Sequence, residues 1–170
     1  VTQAQAYPSK PVTIVVPFSA GGGVDTVARM LADKLRTSLG QPVVVDNKPG
    51  ANAIIAAQAV ATSPADGYTL LFGATNHSMI PALYGNRVKF DAVKSFKPIC
   101  TLAIAPTVLV VGPSMQTKTL ADFLTQAKAK PRSLTYATAG LGSSGHFYSE
   151  QFARLTGISL THIPYKGAAP

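Results

Sequence analysis

The chain has 170 residues, 46% of them apolar and 13% charged, which is the composition of a globular protein with a real core and excludes a disordered chain. Its net charge of +8 comes from 15 lysines and arginines scattered from Lys10 to Lys166, of which only Lys128, Lys130 and Arg132 cluster, with no aromatics between them. A nucleic-acid partner calls for a basic stripe and is not expected; a general positive field that draws in small anions is.

Val1 to Ala6 end in Ala4-Gln5-Ala6 just ahead of Tyr7, which fits either the tail of a secretory signal or an unstructured N-terminus. Pro11-Val-Thr-Ile-Val-Val16 is short, aliphatic and β-branched, the pattern of a strand covered on both faces. The glycine-rich turn Pro17-Phe-Ser-Ala-Gly-Gly-Gly-Val-Asp25 follows, and then a helix over about 24–39 with Val24, Val27, Ala28, Leu31 and Leu35 on one face, stopped by Gly40. Asp25 stands at the helix start, where a carboxylate is expected to cap free N–H groups. Gln41 to Val45 predicts a second buried strand, leading into Asp46-Asn-Lys-Pro-Gly50. Ala51 to Ser63 predicts a small-residue helix with Ile54, Ile55 and Val60 inward, Ser63 to Gly67 a turn, and Tyr68 to Gly73 a third strand. This βαβαβ alternation calls for a parallel sheet with helical crossovers.

Met79 to Ala92 is expected to mix short helix and loop. The long apolar stretch from Phe96 to Gly112, broken by Pro98 and Pro106, is expected to hold two strands meeting near Ala103 to Pro106, where the chain passes from a first domain (1–103) to a second (104–170). Thr119 with Asp122 forms a capping-box start for a helix carrying Leu120, Phe123, Leu124 and Ala127, ended by Pro131. Strand Leu134 to Ala139, the glycine loop Gly140-Leu-Gly-Ser-Ser-Gly145, a helix with Phe147, Tyr148, Phe152 and Leu155 that stops at Gly157, and strand Leu160 to Tyr165 complete the series. Strand, glycine loop and helix thus occur twice, and two such loops facing each other would form a cleft. Glycines let the backbone approach a ligand closely, and helix N-termini offer free N–H groups to an anion.

Several chemistries fail on the residues present. Gly140, Gly142 and Gly145 match G-x-G-x-x-G, but no acidic residue follows Glu150, so the ribose partner of a dinucleotide site is missing. An NAD(P)-dependent oxidoreductase on a doubly wound sheet is the alternative reading. Ser143, Ser144, His146 and Glu150 do not form a nucleophile elbow, because His146 stands where its closing glycine belongs. His77, His146 and His162 are too far apart for local metal spacing; the first two follow strand ends and are placed to line a cleft, whereas His162 reads as a satisfied core residue. No metal, cofactor or catalytic residue is expected, so the chain reads as a binder and not an enzyme. Cys100 is the lone cysteine, which excludes an intramolecular disulfide, and no apolar stretch approaches a membrane span, so the protein is not expected to be membrane-embedded.

The stretches KPVTIVVPFSAGGGVDTVAR, LGQPVVVDNKPGA, DGYTLLFGATNH, FKPICTLAIAPTVLVV, LTYATAGLGSSGH and HIPYKGAAP resemble, in order over nearly the whole chain, the Bug family, the periplasmic solute-binding proteins of tripartite tricarboxylate transporters. The resemblance implies a type II periplasmic-binding-protein (Venus-flytrap) fold of two α/β domains in a Gram-negative periplasm. It implies capture of a small organic carboxylate by domain closure near Ala103 to Pro106, and delivery to the transporter's membrane components. Positions like the family's cleft loops are Phe18, Ala20, Gly21, Gly23, Asp25, Thr75, Asn76 and His77 in the first domain. In the second they are Thr138, Ala139, Gly140, Gly142, Ser143, Ser144 and His146. The family commonly has proline where Ser19 stands and G-A-G-G-N where this chain has Gly50-Ala-Asn-Ala-Ile54, which implies bulkier side chains near the cleft rim. Family members also continue beyond the P-Y-K-G motif, so the second domain and the return crossover are expected to be incomplete here. Unpaired sheet edges and apolar surface are then expected to favour association.

Overall fold

A computed structural model describes residues 7–165. The Ala4-Gln5-Ala6 pattern and the chain from Lys166 on lie outside the described residues. Those described fall into two compact units, residues 7–97 and Pro98–Tyr165.

In the first unit the apolar run at Val12–Val16 forms β1, and both its faces are covered, with Val12, Ile14, Val15 and Val16 buried. β1 is the middle strand of a parallel sheet, flanked by β2 (Val43–Asn47) and β3 (Thr69–Leu71). The register pairs Ile14 with Val45 on one side and with Leu70 on the other. Helix α1 (Gly23–Leu39) lies between β1 and β2 in sequence and ends at Gly40, whose φ of 65° is the left-handed conformation a helix stop requires. Ala28 and Ala32 of α1 pack on Ile14 and Val16, with Val24, Leu31 and Leu35 around them, as the helical spacing predicts. Fully burying an aliphatic side chain such as that of Ile14 or Val16 contributes roughly 1.5–3 kcal/mol. Helix α2 (Ile54–Ala61) connects β2 to β3. Because the order β2-β1-β3 reverses direction at β1, right-handed crossovers put α1 and α2 on opposite faces of the sheet.

Three local expectations for this unit change. β2 continues through Asp46 and Asn47, past the expected end at Val45, because both residues find ladder partners in Val15 and Val16. The helix after Gly50 is shorter than 51–63 and opens with a 3-10 turn at Ala51–Ala53; it buries Ala53, Ala56 and Ala57, while Ile55 is half exposed. Alanines win the inward face because they allow the helix to approach the sheet closely. Ala51, Asn52 and Ala53 all have positive φ (45°, 52° and 73°), the conformation that favours glycine.

After β3 the chain makes a 3-10 turn at Thr75–Met79 and the short helix α3 (Ile80–Tyr84), the mixture expected there. From Phe96 to Gly112 no strand forms among the described residues, contrary to expectation. Strands need partners as well as β-branched residues, and here Ile104 and Val110 remain 89% and 80% exposed.

The second unit is built from α4 (Leu120–Ala129), β4 (Thr135–Thr138), α5 (Ser144–Thr156) and β5 (Thr161–Pro164), with β4 and β5 parallel. The capping box forms: Thr119 Oγ1 accepts the Asp122 N–H, and Asp122 accepts the Thr119 N–H. Phe123, Ala127 and Ile158 form the core, with Leu134, Phe152 and Leu160 against it. On α5 only Phe152 of the predicted apolar face packs there. Phe147, Tyr148 and Leu155 are exposed, because two strands offer α5 a narrow seat. No helix among the described residues is long and apolar enough to cross a membrane.

Candidate functional site

The strand order of the first unit places a topological switch point between β1 and β3, where ligands bind in open α/β sheets. The glycine loop follows β1 and the Thr75–Met79 turn follows β3, so both leave the carboxyl ends of the strands that flank it. The loop is held from below by Asp25, only 2% exposed. One carboxylate oxygen, Oδ2, accepts the Gly21 N–H at 2.9 Å and the Arg29 Nε–H at 2.9 Å; Oδ1 accepts Asn47 Nδ2–H at 2.8 Å. Asn47 Nδ2 also donates to the Phe18 carbonyl at 3.0 Å, and Arg29 Nη2 donates to Asn47 Oδ1 at 3.0 Å. Arg29, then the Gly21 and Asn47 donors, hold the Asp25 carboxyl down to about 2 against the opposing effect of burial.

Asp25 therefore does not cap α1 as expected. The N-cap is Gly22, and the carboxylate in the first helical turn reaches past it to the loop residue Gly21, where Arg29 and Asn47 complete its shell. Its charge is spent on loop geometry. Phe18 is half-buried, while Ala20, Gly21 and Gly23 are exposed on the loop.

After β3, Thr75 is exposed and Asn76 is 2% exposed. Asn76 Nδ2 donates to the Asn52 carbonyl (3.2 Å) and to Asn52 Oδ1 (3.1 Å), tying this turn to the left-handed segment before α2. His77 is fixed by its neighbours: its Nε2 bonds the Ala92 carbonyl at 2.8 Å, and its ring packs edge-on against Phe96 and parallel to Phe90.

The second glycine loop connects β4 to α5. Gly140 has φ of 133°, and a Cβ there would lie 3.0 Å from the Tyr165 carbonyl, so glycine is required. Thr138 is buried; its hydroxyl accepts the Gly140 N–H at 3.2 Å and bonds His162 Nε2 at 2.7 Å. Ala139 sits half-buried beside it. Ser143 is the N-cap of α5, its Oγ accepting the His146 N–H at 3.3 Å, and Ser144 opens the helix. The Gly142 N–H donates to His146 Nδ1 at 3.2 Å, which places the neutral ring's proton on Nε2, 4.0 Å from Glu150 Oε1. His162, expected to be a satisfied core residue, has its partner in Thr138 and is only partly buried.

Each loop places backbone N–H groups at the start of a helix, and the second adds the Ser143 and Ser144 hydroxyls, an arrangement able to bind an anion. Arg29 and Asn47 beneath the first loop, and Tyr136, Glu150 and His162 beside the second, were not singled out as site residues from the sequence. Arg29 and Glu150 had a signal, four positions after Asp25 and His146 on a helix; Asn47, Tyr136 and His162 depend on strand pairing. Among the described residues no group of three His, Cys, Asp or Glu side chains is placed to hold a metal ion.

Residues 27–170 match the family described as tripartite tricarboxylate transporter family receptor. The chain is 38% identical to protein BugT of Bordetella pertussis over 168 residues, covering 98% of this chain and 52% of BugT. Among solved structures it resembles the periplasmic binding protein BugD (TM-score 0.81, 35% identity, 96% of this chain and 55% of that one). It also resembles Rpa4515 of R. palustris with adipate (TM-score 0.87, 38% identity, 97% and 55%). A third likeness is to MatC of Rhodopseudomonas palustris with bound malate (TM-score 0.82, 31% identity, 95% and 55%). The chain spans about half the length of the relatives it matches. These likenesses establish a periplasmic-binding-protein α/β fold, and none supports the oxidoreductase alternative. Two parallel strand–glycine loop–helix modules, matched over nearly the whole chain, make this protein a member of the tripartite tricarboxylate transporter receptor family.

Proposed function

We propose that this chain belongs to a periplasmic receptor that captures a small organic carboxylate and passes it to the membrane components of a tripartite tricarboxylate transporter, without chemical change to the ligand. The observation that carries the reading is the pair of glycine loops at helix starts, in a chain similar to proteins solved with adipate and with malate. Phe18, Ala20, Gly21 and Gly23 are proposed to meet the ligand from the first loop, with Thr75 beside them. In the second unit the contacts are proposed to be Ala139, Gly140, Ser143 and Ser144. Asp25, Asn76, Thr138 and His146 then act by holding the loops. Charge-assisted hydrogen bonds contribute roughly 1.5–3 kcal/mol each, so a few of them with burial reach micromolar affinity, about 8 kcal/mol.

A thermal-shift panel of mono-, di- and tricarboxylates, with NAD and NADP as counter-ligands, tests this. A ligand at 100 times its dissociation constant adds about 2.7 kcal/mol. A rise in melting temperature with one acid class and none with dinucleotides is expected; a shift with dinucleotides alone would overturn the reading.

A further inference from the structure

One N–H of the second glycine loop is held by a histidine. Gly142 donates to His146 Nδ1 at 3.2 Å, and His146 is anchored through its own N–H on Ser143 Oγ. The titratable groups facing the imidazole come from each element around it. From β5, His162 stacks on it with ring centroids 4.2 Å apart; from β4, Tyr136 stacks on His162 at 4.9 Å; from α5, Glu150 Oε1 stands 4.0 Å from Nε2 and accepts the Tyr136 hydroxyl.

Burial, then Glu150, keep the Tyr136 hydroxyl protonated, far above its ordinary range. Burial, then the adjacent His146, push His162 down, against a smaller opposing effect of Glu150. His146 alone has a carboxylate on its outer nitrogen. Once it carries a second proton, Nδ1 is a donor and cannot accept the Gly142 N–H.

We propose that proton uptake by His146 arms the second glycine loop, releasing the Gly142 N–H and setting a positive charge beside it, so that carboxylate capture is coupled to protonation and tightens as pH falls. This rests on the carboxylate-receptor reading above. Linkage makes the effect reciprocal: a bound carboxylate raises the proton affinity of His146.

Two measurements test it. In the ligand-free protein, the Gly142 amide resonance is expected to titrate with the same midpoint as the His146 ring; an amide that ignores the ring overturns the proposal, and this needs no variant. Calorimetry with adipate and with malate, at pH values below and above the measured midpoint of the His146 ring and in buffers of different ionisation enthalpy, is expected to show roughly tenfold tighter binding on the acid side, with net proton uptake. His146→Asn keeps an acceptor at the place of Nδ1 but cannot take up a proton, so its affinity is expected to be flat over this range. Wild-type affinity that is flat or falls toward acid overturns the coupling alone. No binding by any carboxylate at either pH overturns the receptor reading along with it.

Discussion

Replacing Asp25 by Asn removes one charge and almost no volume, so it isolates what the carboxylate does for the first loop. Both oxygens accept, Oδ2 from Gly21 and Arg29 and Oδ1 from Asn47, whereas an amide has one accepting end. In any rotamer an NH₂ group then faces a donor, and a buried donor left without an acceptor costs about 1–3 kcal/mol. The carboxyl is lowered from 3.8 to about 2, which by linkage corresponds to roughly 2 kcal/mol. Asp25 lies just beneath the surface and its partner Arg29 is half exposed, so solvent screening reduces that figure to about 1–2 kcal/mol. The sign follows from the lowered value: the contribution is whole above pH 3.8 and is lost as pH falls toward 2. Thermal melts of wild type and Asp25→Asn, followed from pH 7 down to pH 2, provide the test. At pH 7 the variant is expected to melt about 4–10 °C lower, and the gap is expected to close between pH 4 and pH 2. Equal melting at pH 7, or a gap that persists at pH 2, would refute the argument.

Other substitutions probe the loops and caps. Gly140→Ala is expected to destabilise the second unit by about 1–3 kcal/mol, since φ is 133° and the new Cβ meets the Tyr165 carbonyl at 3.0 Å; denaturant unfolding measures it, and a neutral result would show that the loop relaxes. Ala51→Gly removes an exposed Cβ at a φ of 45° and is expected to raise stability by about 0.5–1 kcal/mol, read from the shift of a urea midpoint. Thr119→Ala breaks the α4 capping box at an expected cost of about 1 kcal/mol, and Thr119→Ser should recover most of it in the same melts. The exposed run holding Ile99, Ile104 and Val110 predicts concentration-dependent association of these 170 residues; size-exclusion chromatography with light scattering should show it, and lysine at Ile104 and Val110 should reduce it.

Much of the fold was legible because it is local. The run at Val12–Val16, the 3.6-residue stripe of α1, the glycine stops at Gly40 and Gly157 and the Thr119 box each act within a few residues, and each forms where its pattern stands. The glycine loops were legible for the same reason: their place between a buried strand and an amphipathic helix is a sequence property. What no local pattern carries is pairing. Asp46 and Asn47 lay beyond the strand expected to end at Val45 and joined it because β1 offered partners; Phe96 to Gly112 read as strand and stayed unpaired among the described residues. The same holds for the chemistry of the loops. The amino-acid sequence by itself determined which segments bear glycines, hydroxyls and histidines. Only the tertiary structure decided that Asp25 serves Gly21, Arg29 and Asn47, that His77 is held by Ala92, and that the Gly142 N–H belongs to His146, because a polar group's partner is set by what the folded chain brings within hydrogen-bonding distance of it.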